Sequence, residues 1–467
     1  MIKIPAKSTL VLAILSVTAP QVHAAGFALA NQAGSGTGNA FAGGVAITED
    51  ATVSWYNPAN MPDLHAGTHI SAITHIISPS AKFNNRGSWI NPALTGGDFT
   101  AAQAALVGVN DNGGHAVGLP AFNMARSLND RMSFGLALNV PFGLGTKYEK
   151  DWTGRYHALE SEIQTLNVNP SIGYKINDQF SIGAGLSAQY IHVKLDTAID
   201  SAAACRSIAA AANNGDVLAQ CLANLPKLGH AATDSKASIS GDDISYGYNF
   251  GITYKPNSNT RIGLAHRSKI DHKLEGDADY TINAAFQPIL TLTGITNFND
   301  TSVTAEANLP ATSSLSIAHK VNDKLEVMGD YTRTGWSSFE RLTIKRASDG
   351  SIVTDVDHSW EDTNRYALGA SYQYSDRLKL RGGIALDETP VPNDKLRTPR
   401  TPDNDRTWIA LGANYKLNKQ MSLDVAYAHL FADETPIDNI SSDNGYTLRG
   451  LYNNSVNIAG AQLNWSF

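Results

Sequence analysis

The chain of 467 residues carries a formal net charge of −7 and a sequence pI near 6.0, with no basic face of the kind that draws nucleic acid. Beyond its first residues it contains no apolar run approaching the roughly 18 residues of a membrane helix. If the mature chain crosses a bilayer it therefore does so as a β-barrel, because strands closed on themselves satisfy every backbone group.

Residues 1–24 have the three parts of an export signal in order. Lys3 and Lys7 make a positive start, Leu10 to Val17 an apolar run too short to span, and Val22-His23-Ala24 a small-residue exit. Cleavage is expected after Ala24. The next stretch, residues 25–65, is rich in Gly and Ala and ends near Asn57-Pro58-Ala59, which suits a compact irregular plug better than a sheet or long helix. Its Gly34-Ser35-Gly36-Thr37-Gly38 is not a phosphate loop, since no strand precedes it and no Lys follows at the required spacing.

From residue 66 to 467 the chain reads as strand pairs. Short polar turns recur at 128–131, 176–179, 255–259, 321–324, 374–377 and 417–420, each followed by an alternating run. After the first turn Met132, Phe134, Leu136, Leu138 and Val140 share one face, opposite Ser133, Gly135, Ala137 and Asn139. The same split follows at Phe180, Ile182, Leu186 and Tyr190 against Ser181, Gly183, Gly185, Ser187 and Gln189, and again after 377 and 420. One face is apolar and the other is polar or tiny. Long polar segments near 84–114, 145–160, 197–235, 276–302, 391–404 and 432–446 alternate with the tight turns, which is the outer-membrane pattern and not that of a soluble sandwich. Six turn-linked pairs plus unpaired strands at 66–83 and 446–467 predict an all-β fold. It is a 14-stranded antiparallel transmembrane β-barrel with the N-terminal plug in its lumen.

Several local features stand out. Cys205 and Cys221 lie in an Ala-rich, helix-forming loop of an exported chain and read as a disulfide stapling a small helical hairpin. Residues 284–298 are apolar without strand flanks, which is odd on an exposed rim unless they meet another apolar surface. His69 and His75, and His266 and His272, fall six apart, yet no Cys or carboxylate cluster joins them, so no metal is assigned. No Gly-x-Ser-x-Gly elbow and no compact acid and base pair is found, which argues against an enzyme. In Asn139-Val140-Pro141-Phe142-Gly143 a Pro interrupts a well-patterned strand, and Pro cannot donate to the ladder. The residues admit either a strand end or a kink that opens the wall locally.

Taken in order, Ala25-Gly26-Phe27, Ser35 to Ala40, Asn57-Pro58-Ala59, Asn139 to Gly143, Asn308-Leu309-Pro310, Gly383 to Pro392, Pro402 to Arg406 and a closing Phe467 resemble the FadL/TodX-type outer-membrane transporters of long-chain fatty acids and other hydrophobic compounds. The resemblance implies a monomeric barrel in the outer membrane of a Gram-negative bacterium, with a hatch inside it. Ligand, a fatty acid or other hydrophobic molecule, would be caught among the outer loops and pass to a pocket against the hatch. Movement of Ala25, Gly26 and Phe27 would open a path to a kink at Asn139, Val140, Pro141, Phe142 and Gly143, and so to the lipid. Phe467 resembles the signal read by the barrel assembly machinery. No cofactor is implied. Lys194, Lys379 and Arg381 are candidate lumen partners for a carboxylate. The rival expectations are uptake of aromatic or aliphatic hydrocarbons by the same fold, and a general diffusion porin, which the plug disfavours.

Overall fold

The computed structural model describes residues 26–467, so the expected export signal and Ala25 lie outside the described residues. Fourteen antiparallel strands close into one barrel. They run Thr68–Asn85, Val117–Ser127, then Met132–Asn139 with Gly143–Lys147, Glu160–Lys175, Phe180–Ile199 and Ser235–Asn257. The seventh is Thr260–Arg267 with Ile270–Thr281, the eighth Thr301–Leu309 with Thr312–Lys320, the ninth Leu325–Thr334 with Arg341–Arg346, and the tenth Ile352–Asp357 with Thr363–Gln373. Leu378–Asp387, Arg406–Lys416, Met421–Ala432 with Thr435–Ile440, and Thr447–Ser466 complete the ring. The last strand pairs with the first from His69↔Ser466 to Asn85↔Gly450, so no edge is left at the seam.

All six sequence-predicted turns form, and four share one device. The Asn129, Asn177, Asn322 and Asn418 side chains each accept two backbone N–H groups, two and three residues on, at 2.8–3.0 Å. An Asn that hydrogen-bonds its own chain in this way sets a tight turn without needing a partner strand.

Outward faces carry the apolar residues. Leu186, Leu368 and Leu411 expose 68%, 64% and 65% of their surface, which fits hydrocarbon and not water. The sixth strand has 23 residues, roughly twice the nine to eleven that a tilted strand needs to span. The surplus stands above the membrane as an outer tower. There the inward face changes character: Ser181, Gly183, Gly185, Ser187 and Gln189 give way to Ile191, Val193 and Leu195, all buried. The barrel is small and polar where the plug sits and apolar above it.

Two outer connections differ from expectation. The ninth and tenth strands are joined at 347–351 by a tight turn with Gly350 at φ 72°, a connection absent from the sequence reading because the charged run around it resembles a loop. Residues 435–440, read as loop, pair with the last strand from Thr435↔Tyr452 to Ile440↔Thr447, leaving only a short connection at 441–446. The helical hairpin consists of Ser201–Ala211 and Gly215–Asn224, joined by a Cys205–Cys221 disulfide with Cα atoms 5.8 Å apart. A further helix, Gln287–Thr293, lies in the apolar 284–298 segment. It buries Phe286, Ile289 and Leu290 against Cys205, Val217, Cys221 and Leu225, so the greasy loop meets the hairpin.

Closing a loop of this size contributes about 3 kcal/mol of local constraint. Replacing Cys205 by Ser is expected to make 201–224 sensitive to limited proteolysis while leaving the heat-dependent gel mobility of the barrel unchanged.

Candidate functional site

The third strand leaves its neighbour halfway up. It pairs with the second strand only as far as Phe122↔Leu138, whereas the second strand continues through Val117 paired with the first strand alone. On the other side it pairs with the fourth strand through Asn139↔Asn167 and resumes at Gly143↔Gln164, one residue out of register. Between these points Thr165 takes over, accepting from Phe142 N at 3.1 Å and donating to Phe142 O at 2.6 Å. A gap therefore opens in the wall at residues 140–143, beginning at the position before Pro141, whose ring removes a donor.

The N-terminus of the plug fills this gap as a short strand would. Gly143 N donates to Phe27 O at 2.9 Å, Leu29 N donates to Pro141 O at 2.8 Å, and Ala28 bridges Phe142. The Gln32 side chain repeats the pattern one step lower: its Oε1 accepts from Val140 N and from Asn139 Nδ2, both at 3.2 Å, and its Nε2 donates to Val140 O at 2.7 Å. Gly143 is tight against Leu29, whose Cδ1 would lie 3.0 Å from a Cβ there. Phe27 is buried in a box of rings, with centroids 4.7 Å from Trp336, 5.3 Å from Phe339, 5.5 Å from Trp360 and 6.2 Å from Phe142. Gly26, at φ 59°, donates its N–H to Asp403 Oδ2 at 2.8 Å, and Thr389 Oγ1 donates to the same oxygen. The 383–392 and 402–406 segments thus converge on the start of the plug.

The other end of the plug is held differently. Asn57 Nδ2 donates to Val45 O at 2.7 Å and to Ile252 O and Thr253 Oγ1, both at 3.3 Å, while its Oδ1 accepts from Ala59 N. Pro58 and Ala59 lie so close to the fourth and fifth strands that a Cβ on Gly173 would sit 2.4 Å from Pro58 O, and one on Gly183 2.4 Å from Ala59 N. The small inward face is thus the imprint of the plug. Ion pairs complete the seat: Lys255 with Asp63 at 2.6 Å, Arg261 with Asp63 at 3.2 Å, and Lys379 and Arg381 with Glu49 at 2.8 and 2.6 Å.

These pairs correct one expectation. Lys379 and Arg381 do face the lumen, but Glu49 already takes both, and Arg381 also meets Asp424 at 3.1 Å. Lys194 follows buried Val193, so strand alternation puts it on the face away from the lumen, paired with Glu160 at 3.0 Å. Two of the histidines hold local structure: His75 is buried with Nε2 2.9 Å from Thr37 Oγ1, and His69 bonds His65 O. Among the described residues no set of His, Cys and acidic groups is placed to hold a metal.

Two cavities flank the aromatic box. The outer one, about 1430 Å³, has an apolar wall of Phe27, Leu144, Ile163, Val193, Leu195 and Phe339 and a polar one that includes Asp200, Arg341, Asp355, Lys395 and Asp443. Arg400 reaches it from the 388–405 connection, donating to Ser161 Oγ at 2.9 Å, Thr197 Oγ1 at 2.6 Å and Glu160 O at 3.2 Å; burial pushes its pKa down to about 10. His157 borders the same cavity, with Nδ1 3.2 Å from Asn439 Oδ1, and burial pushes its pKa down to about 4. The inner cavity, about 190 Å³, lies between Leu29, Phe41, Trp55, Phe142 and Trp408, with a polar rim of Asn167, Gln189, Arg267 and Arg365. Sequence reasoning missed Gln32, Leu29, the Trp336, Phe339 and Trp360 rings, and Arg400. The clustered aromatics of 336–339 and 358–360 were the available signal, hidden inside runs that read as strand.

A closed barrel whose plug supplies part of its wall, with cavities walled in part by apolar side chains on both sides of the seal, defines an outer-membrane transporter of hydrophobic compounds and not an open pore. The family described as outer membrane protein transport protein (OMPP1/FadL/TodX) matches residues 15–467, and the chain belongs to it. The long-chain fatty acid transport protein of Salmonella typhi is 29% identical over 438 residues, covering 92% of this chain and 93% of that one. The 47 kDa outer membrane protein of Pasteurella multocida is 29% identical over 460 residues, covering 95% and 97%. The crystal structure of a Pseudomonas aeruginosa FadL homologue matches with a TM-score of 0.82 at 26% identity, over 95% of this chain and 100% of that one. The Ralstonia pickettii toluene transporter TbuX shares the fold, with a TM-score of 0.61 at 20% identity over 91% and 96% of the chains. Members of this family are transporters, and the protein resides in the outer membrane of a Gram-negative bacterium.

Replacing Gly143 by Trp would drive Leu29 from its seat and fill the gap; uptake of labelled ligand by cells is expected to fall while surface-exposed barrel is still assembled, and unchanged uptake would refute a role for the gap. The pH dependence follows from His157. Its folded pKa, about 4, lies below the unfolded value near 6.5, so the unfolded state binds more protons between the two. Stability of the outer tower is therefore full above pH 6.5 and lost as pH falls toward 4, a change on the order of 3 kcal/mol when complete. Protease protection of 148–159 is expected to weaken across that window, and less so in His157→Gln.

Proposed function

We propose that the protein carries long-chain fatty acids passively across the outer membrane, from the outer cavity past the plug end and out sideways at the third-strand gap. The observation that supports this most directly is the pairing of Phe27, Ala28 and Leu29 into the open edge of that strand. A segment that is at once the end of a plug and a piece of wall seals the wall in one position and opens it in another. A water-filled pore would serve an amphiphile poorly, since its chain gains roughly 0.8 kcal/mol per methylene on burial. Over a long chain this exceeds the few kcal/mol that hold Phe27 in its ring box, so a ligand that binds the displaced arrangement better can shift the plug. Gly26 and Phe27, with Ala25 before them, are the moving end. Asn57, Pro58 and Ala59 are the fixed end.

Arg400 is the proposed partner of the carboxylate: its hydrogen bonds go to hydroxyls and a carbonyl, and it borders the outer cavity. Similarity to the Salmonella typhi protein favours fatty acids; the same route for aromatic hydrocarbons is the second reading, favoured by the ring box. Residues 1–24 serve as the export signal, 25–65 as the hatch and 66–467 as the barrel, which works as a monomer with no cofactor. Phe467, exposed beside Trp465 at 4.6 Å, is the proposed mark for the barrel assembly machinery.

Binding of oleate and of toluene to the purified protein separates the two ligand readings, and failure to bind either would sink both. Arg400→Gln is expected to weaken oleate roughly tenfold, the worth of a charge-assisted hydrogen bond, while leaving methyl oleate unchanged. Equal losses for acid and ester would remove Arg400 from the site.

A further inference from the structure

The sixth and seventh strands are joined in two separate stretches. Asn249 to Tyr254 pair with Ile262 to Arg267, and Lys236 to Asp242 pair with Glu275 to Thr281. Between them residues 243–248 face 268–274, six residues against seven, joined by the Ser268 N to Tyr248 O backbone bond at 2.9 Å but without a continuous ladder. Side chains make the other links, among them a buried contact of His272 Nδ1 with Asp243 Oδ2 at 2.8 Å. Ser268 Oγ accepts from Tyr248 N at 2.9 Å, Ser245 Oγ donates to Asp271 O at 2.9 Å, and Asp243 accepts from Lys273 N at 3.3 Å. Gly247 stands in the middle, where a Cβ would come within 2.9 Å of Ile270 Cγ1. Pro310 interrupts the ladder on the far side of the seventh strand at the same level. Such a wall is weaker than a continuous ladder, because each side-chain link can be lost without dragging its neighbours.

The inner cavity reaches this place. It is lined from within by Ala265 and Arg267 and also by Phe250 and His266, whose rings lie 5.2 Å apart on the lipid-facing side. A cavity bordered by both faces of one sheet passes into it. Arg267 lines it, stacked 3.5 Å over the Trp55 ring, with hydrogen bonds to Trp55 O and Ser187 Oγ and none to a carboxylate among the described residues. The third-strand gap is filled by plug backbone in this arrangement; no plug backbone among the described residues pairs into residues 243–248 or 268–274.

We propose that the break between the sixth and seventh strands is a second lateral opening, through which the acyl tail of an anionic amphiphile in the inner cavity meets membrane lipid while its carboxylate rests on Arg267. This rests on the uptake reading above. Its ligand class is a long-chain carboxylate, since an uncharged hydrocarbon has no use for the Arg267 cation. Arg267 alone would be explained by its stacking on Trp55; the break and the outward-facing lining of the cavity are what the stacking does not explain.

The test is a reversible lock. Gly247→Cys with Ile270→Cys places two Cβ atoms close enough for a disulfide. Uptake of labelled oleate by cells carrying this variant is expected to drop on oxidation and return on reduction, with wild type taken through the same cycle to control for Cys205–Cys221. Gly247→Trp, which wedges the break permanently, is expected to show the oxidised behaviour. In wild type, oleate bearing a diazirine at its tail is expected to label the peptide around Phe250 or His266. Equal uptake before and after quantitative cross-linking overturns the second opening, as does labelling confined to 139–143. Absence of oleate uptake in wild type would instead refute the uptake reading itself.

Discussion

A strand that parts from its neighbour inside a bilayer leaves backbone donors and acceptors with nothing to meet, and hydrocarbon supplies none. That constraint organises this molecule. At residues 140–143 the third strand departs from the second, and the protein answers with three residues of plug backbone, the Gln32 amide and the Thr165 hydroxyl. Each satisfies groups a strand would otherwise have satisfied. The seal is therefore made of the same bonds as the wall, so that closing the gap and seating the plug are one event.

The two ends of the plug are held by different physics. Around Glu49, Asp63 and Asn57 the contacts are ion pairs and hydrogen bonds against glycine-bearing strands. Pulling one partner from a partly buried ion pair leaves an uncompensated charge, which costs several kcal/mol, so this end resists displacement. Around Phe27 the contacts are ring edges and faces. A hydrophobic ligand can replace those contacts with others of the same kind, whereas it could never replace the charges. Placing the aromatic box between two cavities walled in part by apolar side chains puts the replaceable contacts where such a ligand would arrive.

The interior is layered for the same reason. Where Pro58 and Ala59 press on the wall the inward positions are glycines, Gly173 and Gly183, because backbone must approach backbone there. Above the plug Ile191, Val193, Leu195 and Leu274 are buried, and Val193 and Leu195 line the outer cavity. Among the described residues Arg400 donates its side-chain hydrogen bonds to hydroxyls and a carbonyl, and so does Arg267 on the inner side.

Sequence alone determined the barrel, its fourteen strands and the plug, because period-two alternation and Asn-led turns are local: each is written within a few residues and needs no distant partner. Pro141 and the glycines of the inward face marked where something irregular had to happen. What filled that place was decided only by the tertiary structure. Phe27 meeting Trp336, Gln32 meeting Val140, and Lys379 and Arg381 being claimed by Glu49 are contacts between residues roughly a hundred to more than three hundred positions apart, and no local pattern encodes them. The switch from a polar to an apolar lumen at Ile191 was present in the letters, yet its meaning depends on where the plug ends inside the barrel, which only closure of the ring sets.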